Sequence, residues 1–351
     1  MDDSKKEEGI PMRSSKISFA LVCVLVFFLT GLCQAAEAPK LKLKMQTFQI
    51  PDETKRNFAT FVDLVKRLSN GQIEITLFPV GSLMPVKEML DAVSKGSLDM
   101  AQVVEGYFVK VVPVSEIAAG IPFLFRDSDE SKVFMWNKGF VDVLREGYAK
   151  QNVYHIPWET YPIGLMTKKP VNTLDDLKKM KIRAHGTMAD LLAKVGASAV
   201  FIPGGELYTA LATGVVDGGQ WGDAGPMFSM KFHEVLKNYM YPEPIVGAWN
   251  SIIINMDLWK KMTPEQRAII EAATLAGGEV SYRSTRLLSK TRLREMQEKW
   301  NVNVVTLPEA DVEKMRQYSL EFQKEVAKKD PLCDKGMKMI RDYMKELGYE
   351  K

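Results

Sequence analysis

The sequence predicts an α/β protein built as two lobes of like topology. Three observations carry this: short apolar or alternating runs that alternate with amphipathic stretches, an internal repeat near the middle of the chain, and a length beyond what one core ordinarily holds. Of 351 residues, roughly 315 remain after an N-terminal leader, enough for two domains of ordinary size with a cleft between them. Apolar residues make up 46% and charged residues 26%, the balance of a soluble globular chain. With 47 basic and 44 acidic side chains, net +3, no bulk excess draws the molecule onto nucleic acid or an anionic membrane, so any anion recognition is local.

The first element is the leader. Residues Ile17 to Leu32 are apolar, preceded by Arg13 and Lys16 and followed by Ala35-Ala36, the order of a signal peptide over residues 1–36. The acidic opening Asp2-Asp3 with Glu7-Glu8 is foreign to a leader, and a start at Met12 gives a conventional one. Leu32 before Cys33 disfavours a lipid anchor there. Only Cys333 then remains in the mature chain, so no internal disulfide is expected.

The runs Leu41 to Phe48, Ile73 to Phe78 and Met100 to Val104 predict strands, and Glu53 to Leu68 predicts a helix between two of them. This is the grammar of parallel strands with crossover helices. Pro85 to Gln102 then aligns without a gap on Pro203 to Gln220, at an offset of 118 positions. Proline, Glu88 with Glu206, Ala92 with Ala210, Gly96 with Gly214, Asp99 with Asp217 and Gln102 with Gln220 are identical. Each copy predicts a helix ended by a glycine in the left-handed cap and a strand opening near the aspartate. Because open α/β sheets bind ligands beyond the carboxyl ends of their strands, the loops Glu105 to Phe108 and Trp221 to Asp223 are expected to face one another.

Lys181 to Gly186 predicts another strand feeding a helix, with Arg183 and His185 on one face. Arginine at a strand end offers a planar fork that fits a carboxylate, although spacing alone leaves a structural ion pair as its ordinary role. Trp221 and Gln220 are candidates for an apolar wall and a polar contact, with Tyr107 and Glu105 behind them; His185 reads as a satisfied structural histidine. The three histidines, His155, His185 and His233, lack metal-ligand spacing. No GxSxG elbow or P-loop occurs, and no nucleophile, base and orienting group assemble, so an enzyme is not expected. Finally, Pro264 to Lys299 has helical composition interrupted by Gly277-Gly278, marking a bend or a close contact in a helix long enough to brace both lobes.

Leu174-Asp175-Asp176-Leu177-Lys178, Lys181-Ile182-Arg183, Gly205-Glu206-Leu207-Tyr208 and Gly214-Val215-Val216-Asp217-Gly218 together resemble the DctP-type periplasmic solute-binding subunit of tripartite ATP-independent periplasmic (TRAP) transporters. The resemblance covers essentially the whole mature chain. It implies a periplasmic, two-lobed α/β protein with crossing strands and a long bracing helix. Lobe I comprises 37–158 plus 244–262, and lobe II 159–243 plus 263–351 with the long helix and the C-terminal helices. Its implied partners are a small organic acid and the membrane subunits, a small DctQ-type and a large DctM-type protein. By the same resemblance, Arg183 pairs with the acid's carboxylate, and Gln220, Trp221, Tyr107, Tyr161 and Asn250 line the pocket, with Trp249, Ser251 and Trp158 to Thr160 nearby. The branch that binds 2-oxo or hydroxy acids with a metal ion carries Glu-Trp where this chain has Gln220-Trp221, and the second acidic ligand the resemblance expects after the Tyr-Pro turn is not matched by the local order Tyr241-Pro242-Glu243-Pro244-Ile245-Val246. No cofactor is therefore expected, and a bridging metal ion is disfavoured. Few further cations accompany Arg183, which points to a monocarboxylate: a 2-oxo, hydroxy or aromatic acid.

Overall fold

A computed structural model describes residues 40–349; the leader, the start at Met12, Cys23 and Cys33 lie outside the described residues. Strand β1 (Leu41–Gln46) runs parallel to β2 (Ile73–Phe78) in continuous register from Leu41↔Ile73 to Gln46↔Phe78. Their crossover is helix α1 (Pro51–Leu68), which opens on proline with Asp52 and Glu53 in its first turn and closes with Lys66 and Arg67. These charges complement the helix dipole at both ends. Helix α2 (Met89–Ser94) stops before Gly96, whose φ is +74°, and β3 (Met100–Val104) returns to the other side of β1.

The chain then crosses on β4 (Val153–Thr167) and builds the same unit again. Strand β5 (Lys181–Arg183) is followed by α3 (Gly186–Lys194), β6 (Ser198–Val200), α4 (Gly204–Ala212), Gly214 at φ +79° and β7 (Gly218–Gly222). Strand β5 lies between β6 and β7, parallel to both, as β1 lies between β2 and β3. A second crossing strand, β9 (Ile245–Asn255), follows β8 (Asn238–Tyr241) and pairs antiparallel with both β3 and β4. The sheet order β2-β1-β3-β9-β4-β7-β5-β6 is thus nearly palindromic.

The two copies of the repeat do the same work. The Asp99 carboxylate accepts the Lys44 backbone N–H at 2.8 Å, and the Asp217 carboxylate accepts that of Lys181 at 2.8 Å. Each ties the strand that opens after the cap to its parallel neighbour. The Gln46 side chain donates to the Met84 carbonyl at 2.8 Å; Arg183 Nε donates to the Ile202 carbonyl at 3.1 Å. Met84 and Ile202 are 118 positions apart, so Gln46 and Arg183 occupy one and the same place in the two lobes.

Helix α5 (Pro264–Trp300) spans both. It starts at a capping box formed by Thr263 and Gln266 and ends at Asn301 in the left-handed region. Gly277 and Gly278 let it lie directly on the crossing strand, where a Cβ on Gly278 would sit 2.0 Å from the Trp158 carbonyl oxygen. Trp158 in turn stacks on Phe58 of α1 with centroids 4.5 Å apart. Lys132–Glu279 and Arg145–Glu271 ion pairs fasten the front of the helix; Asp223–Arg286 fastens its far half.

Strand β10 (Asn303–Thr306) pairs with β8, and two helices complete the chain. Val312, Met315 and Phe322 of α6 (Glu309–Ala327) join Ile182 and Leu191 in the second lobe. The expectation that both C-terminal helices belong to lobe II needs correction for the last: Met337 and Ile340 of α7 (Pro331–Glu346) pack with Phe134, Phe140 and Leu144 of the first lobe. Gly336 makes the close approach possible, since a Cβ there would meet Ile117 and Phe140 at 2.6 and 2.9 Å. Cys333 is free and buried in that core. Among the described residues no helix is long and apolar enough to cross a membrane.

Candidate functional site

The loop after β3 meets the segment that follows β5. Tyr107 of the first lobe sits with its ring 6.3 Å from that of His185 in the second, and a Cβ on Gly106 would lie 3.6 Å from His185 Cε1. Arg183 lies beneath, at the end of β5, and is only 2% exposed. Besides the bond to Ile202, its Nη1 donates to the Gln220 carbonyl at 2.8 Å. Its guanidinium carbon stands 5.0 Å from the Trp221 ring and 5.8 Å from that of Phe201, a polarisable seat for a cation.

What Arg183 lacks is an anion. Among the described residues no carboxylate pairs with it, and the structural ion pair that spacing alone left open is not formed. Burial depresses its pKa, with only the Tyr107 phenol acting in the opposite sense. Two of the five N–H groups of a guanidinium are engaged with backbone carbonyls, leaving three without a protein partner.

Around it, Gln220 is buried; its Oε1 accepts the His185 backbone N–H at 3.1 Å, and its amide nitrogen has no partner among the described residues. Trp221 is held flat by Gly204, where a Cβ would collide with the indole at 2.6 Å. His185 is not the hydrogen-bonded structural histidine that the sequence suggests: its ring faces Tyr107 and Phe201. Burial first, and then Arg183, push its pKa down to about 4, so it is neutral near pH 7. Tyr161 lies on β4, paired with Ala248 of β9. Burial and then Tyr107, Glu105 and Glu159 raise its phenol pKa, keeping the hydroxyl protonated.

The crossing strand β9 behaves differently. Asn250 is buried with both ends of its amide occupied, accepting from Gln102 Nε2 at 3.2 Å and donating to Glu159 Oε1 at 3.3 Å. Trp249 turns into the first lobe's core and donates to Ser131 Oγ at 2.8 Å. Ser251 donates to Glu105, whose carboxylate also accepts from Tyr148 at 2.6 Å and meets His155 Nε2 at 2.7 Å. Glu105 therefore anchors the base of the Tyr107 loop and has no free face. Sequence reasoning missed Phe201 and Gln46, whereas Glu159 fell within the segment Trp158 to Thr160 that the resemblance brings near the pocket and is the lone carboxylate of the run Val153 to Thr167.

A divalent cation beside Gln220 does not fit these residues. The Gln220 Oε1 is already taken by a backbone N–H, Glu243 accepts from Tyr239, and no group of three or more His, Cys, Asp or Glu able to hold a metal lies among the described residues.

Known proteins share this fold. A curated relative, the monocarboxylate 2-oxoacid-binding periplasmic protein of Nostoc sp., is 27% identical over 223 residues, 62% of this chain and 60% of its own length; the chain thus spans less than two thirds of that relative. Among solved structures, a TRAP transporter solute-binding protein from Bordetella bronchiseptica, with copurified calcium and picolinate, matches with TM-score 0.80 at 22% identity, over 88% of this chain and 93% of its own. Another from Colwellia psychrerythraea, with bound calcium and pyruvate, matches with TM-score 0.79 at 23% identity, over 88% and 95%. These likenesses establish the two-lobed fold. The model of bacterial extracellular solute-binding protein family 7, DctP, matches residues 51–330, and the chain belongs to that family, whose members bind solutes and are not enzymes.

Proposed function

We propose that this protein is the periplasmic solute-binding subunit of a TRAP transporter, holding a small monocarboxylate through Arg183 and delivering it to DctQ-type and DctM-type membrane subunits. The observation that carries the reading is a buried guanidinium without a protein anion. Burying an unpaired charge is costly, and a carboxylate seated on the three remaining N–H groups removes that cost by paired, charge-assisted bonds. Trp221 and Phe201 wall the seat, Gln220 offers a free amide N–H, and Tyr161 a hydroxyl. In this scheme the open protein takes the acid on the second lobe, and the Tyr107 loop closes from the first. Closure excludes water and so strengthens the ion pair.

The relatives named above bind pyruvate, picolinate or 2-oxoacids by their descriptions, which supports a monocarboxylate of the 2-oxo, hydroxy or aromatic type. The test is thermal stabilisation across such acids, with and without calcium. Truncating one partner of a buried charge pair costs about 2 kcal/mol or more, so Arg183→Ala is expected to weaken binding at least about thirtyfold while circular dichroism reports an unchanged fold. A folded Arg183→Ala protein that binds as tightly as the parent refutes the assignment.

A further inference from the structure

Besides the approach of Tyr107 to His185, a second ring contact joins the two lobes. Lys87, in the short helical turn Val86–Glu88 ahead of α2, holds its Nζ 5.8 Å from the centroid of the Phe201 ring. Phe201 follows β6 in the second lobe and is 54% exposed, although phenylalanine is ordinarily among the most buried residues. Lys87 is exposed as well, and no carboxylate among the described residues pairs with it. The same ring centroid stands 5.8 Å from the guanidinium carbon of Arg183. One ring is therefore shared by two cations, one from each lobe, and both lie near the limit of about 6 Å at which an aromatic face still attracts a positive charge.

The pair is no by-product of the repeat. At the 118-residue offset Leu83 answers to Phe201 and Lys87 to Gly205. Leu83 is 43% exposed but has no aromatic face, and Gly205, beside which a Cβ would meet nothing within 4 Å, has no charge to offer it. The reciprocal contact cannot form. One lobe supplies the cation and the other the ring.

Resting on the carboxylate reading of Arg183, we infer that Lys87 and Phe201 form a latch between the lobes whose strength is set by the charge on Arg183. The two cations lie no more than twice 5.8 Å apart, so an Arg183 without an anion repels Lys87 and competes with it for the ring. A carboxylate seated on Arg183 cancels that repulsion and adds an attraction of its own, and Lys87 then closes on Phe201. Holding the lobes together is in this way made conditional on an anion. Lys87 is a positioning residue for retention, acting through Phe201 rather than on the acid.

Spin labels on Ser82→Cys and Thr209→Cys, exposed positions in opposite lobes, report lobe separation by double electron-electron resonance, the native Cys333 being buried. In the ligand-free protein Arg183→Met is expected to raise the closed-to-open ratio about twofold or more, while Arg183→Lys, which keeps the charge, leaves it alone. Adding Lys87→Met or Phe201→Leu should abolish the rise. Stopped-flow measurements with picolinate and with pyruvate supply the loaded arm: Lys87→Met speeds release about threefold, leaves association within about twofold, and has no further effect in Phe201→Leu. Both latch residues are exposed, so these variants keep the fold should Arg183→Met lose it; should neither acid bind, the ligand-free arm decides alone. A cation that merely steers anions predicts the reverse, slower and salt-dependent association with unchanged release, and that result overturns the inference. So does a ligand-free ratio that Arg183→Met leaves unchanged, or a rise that survives Lys87→Met. Failure of the carboxylate reading looks different: there the ligand-free pattern holds while Arg183→Ala binds picolinate and pyruvate as the parent does.

Discussion

Replacing Glu159 by glutamine should change how stability depends on pH, and the structure sets both the sign and the size. The Glu159 carboxyl is 5% exposed, accepts one weak hydrogen bond from Asn250 and has its pKa raised from the ordinary 4.5 to about 7, chiefly by burial. A carboxyl that holds its proton more tightly when folded favours the folded state fully below its unfolded pKa, and loses that contribution as pH rises through the folded one. Each pKa unit is worth about 1.4 kcal/mol, so the interval from 4.5 to about 7 corresponds to roughly 3 kcal/mol. Glutamine carries no proton to lose. The unliganded parent is therefore expected to lose about 3 kcal/mol relative to Glu159→Gln between pH 4.5 and 7, a divergence of roughly 6 °C in melting temperature at about 2 °C per kcal/mol for a chain of this size. Thermal melts of both proteins from pH 4 to pH 8 provide the assay. The groups facing Glu159 from neighbouring elements, Arg56, Asp223, Asn250 and Ser281, are common to both proteins and drop out of the difference. Melting curves that stay parallel across this range would refute the reasoning.

Two further substitutions probe the frame around the site. Gly278→Ala places a methyl group 2.0 Å from the Trp158 carbonyl oxygen, a clash with backbone that no rotamer relieves, so α5 must lift off the crossing strand; a loss of about 3 kcal/mol or more in urea denaturation is expected. Thr263→Ala removes the acceptor for the Gln266 N–H in the capping box and should cost about 1 kcal/mol, measured the same way, without altering acid binding.

The α/β class and the repeat were legible because they rest on local grammar: a helix, a glycine cap and an aspartate before a strand. The equivalence of Gln46 and Arg183 was not, since their separation of 137 positions breaks the 118-residue offset; the segments between the matching strands differ in length, and a gapless alignment loses them. Asn250 shows a second limit. Its residue type announces a hydrogen bond, but only packing reveals that Gln102 and Glu159 already fill both ends. The last helix shows a third, because an amphipathic stripe declares that Met337 and Ile340 are buried and says nothing of which lobe buries them. Arg183 lay on the border: a buried arginine ordinarily implies a partner, and its lack of one could be seen only once every neighbouring carboxylate was placed.

The near-palindromic sheet has a consequence for how the molecule comes apart. Each lobe is closed by a crossing strand, β9 beside β3 and β4 beside β7, and the two crossing strands pair with each other from Val153↔Asn255 to Ile163↔Ile245. Neither half is a contiguous piece of chain, and separating them tears a ladder through the middle of one sheet, exposing two unpaired edges of the kind that seed aggregation. The halves are therefore not expected to melt independently. Unfolding is then expected to be a single cooperative event for both, and any ligand that binds only the folded chain would shield all of it rather than the few residues it touches.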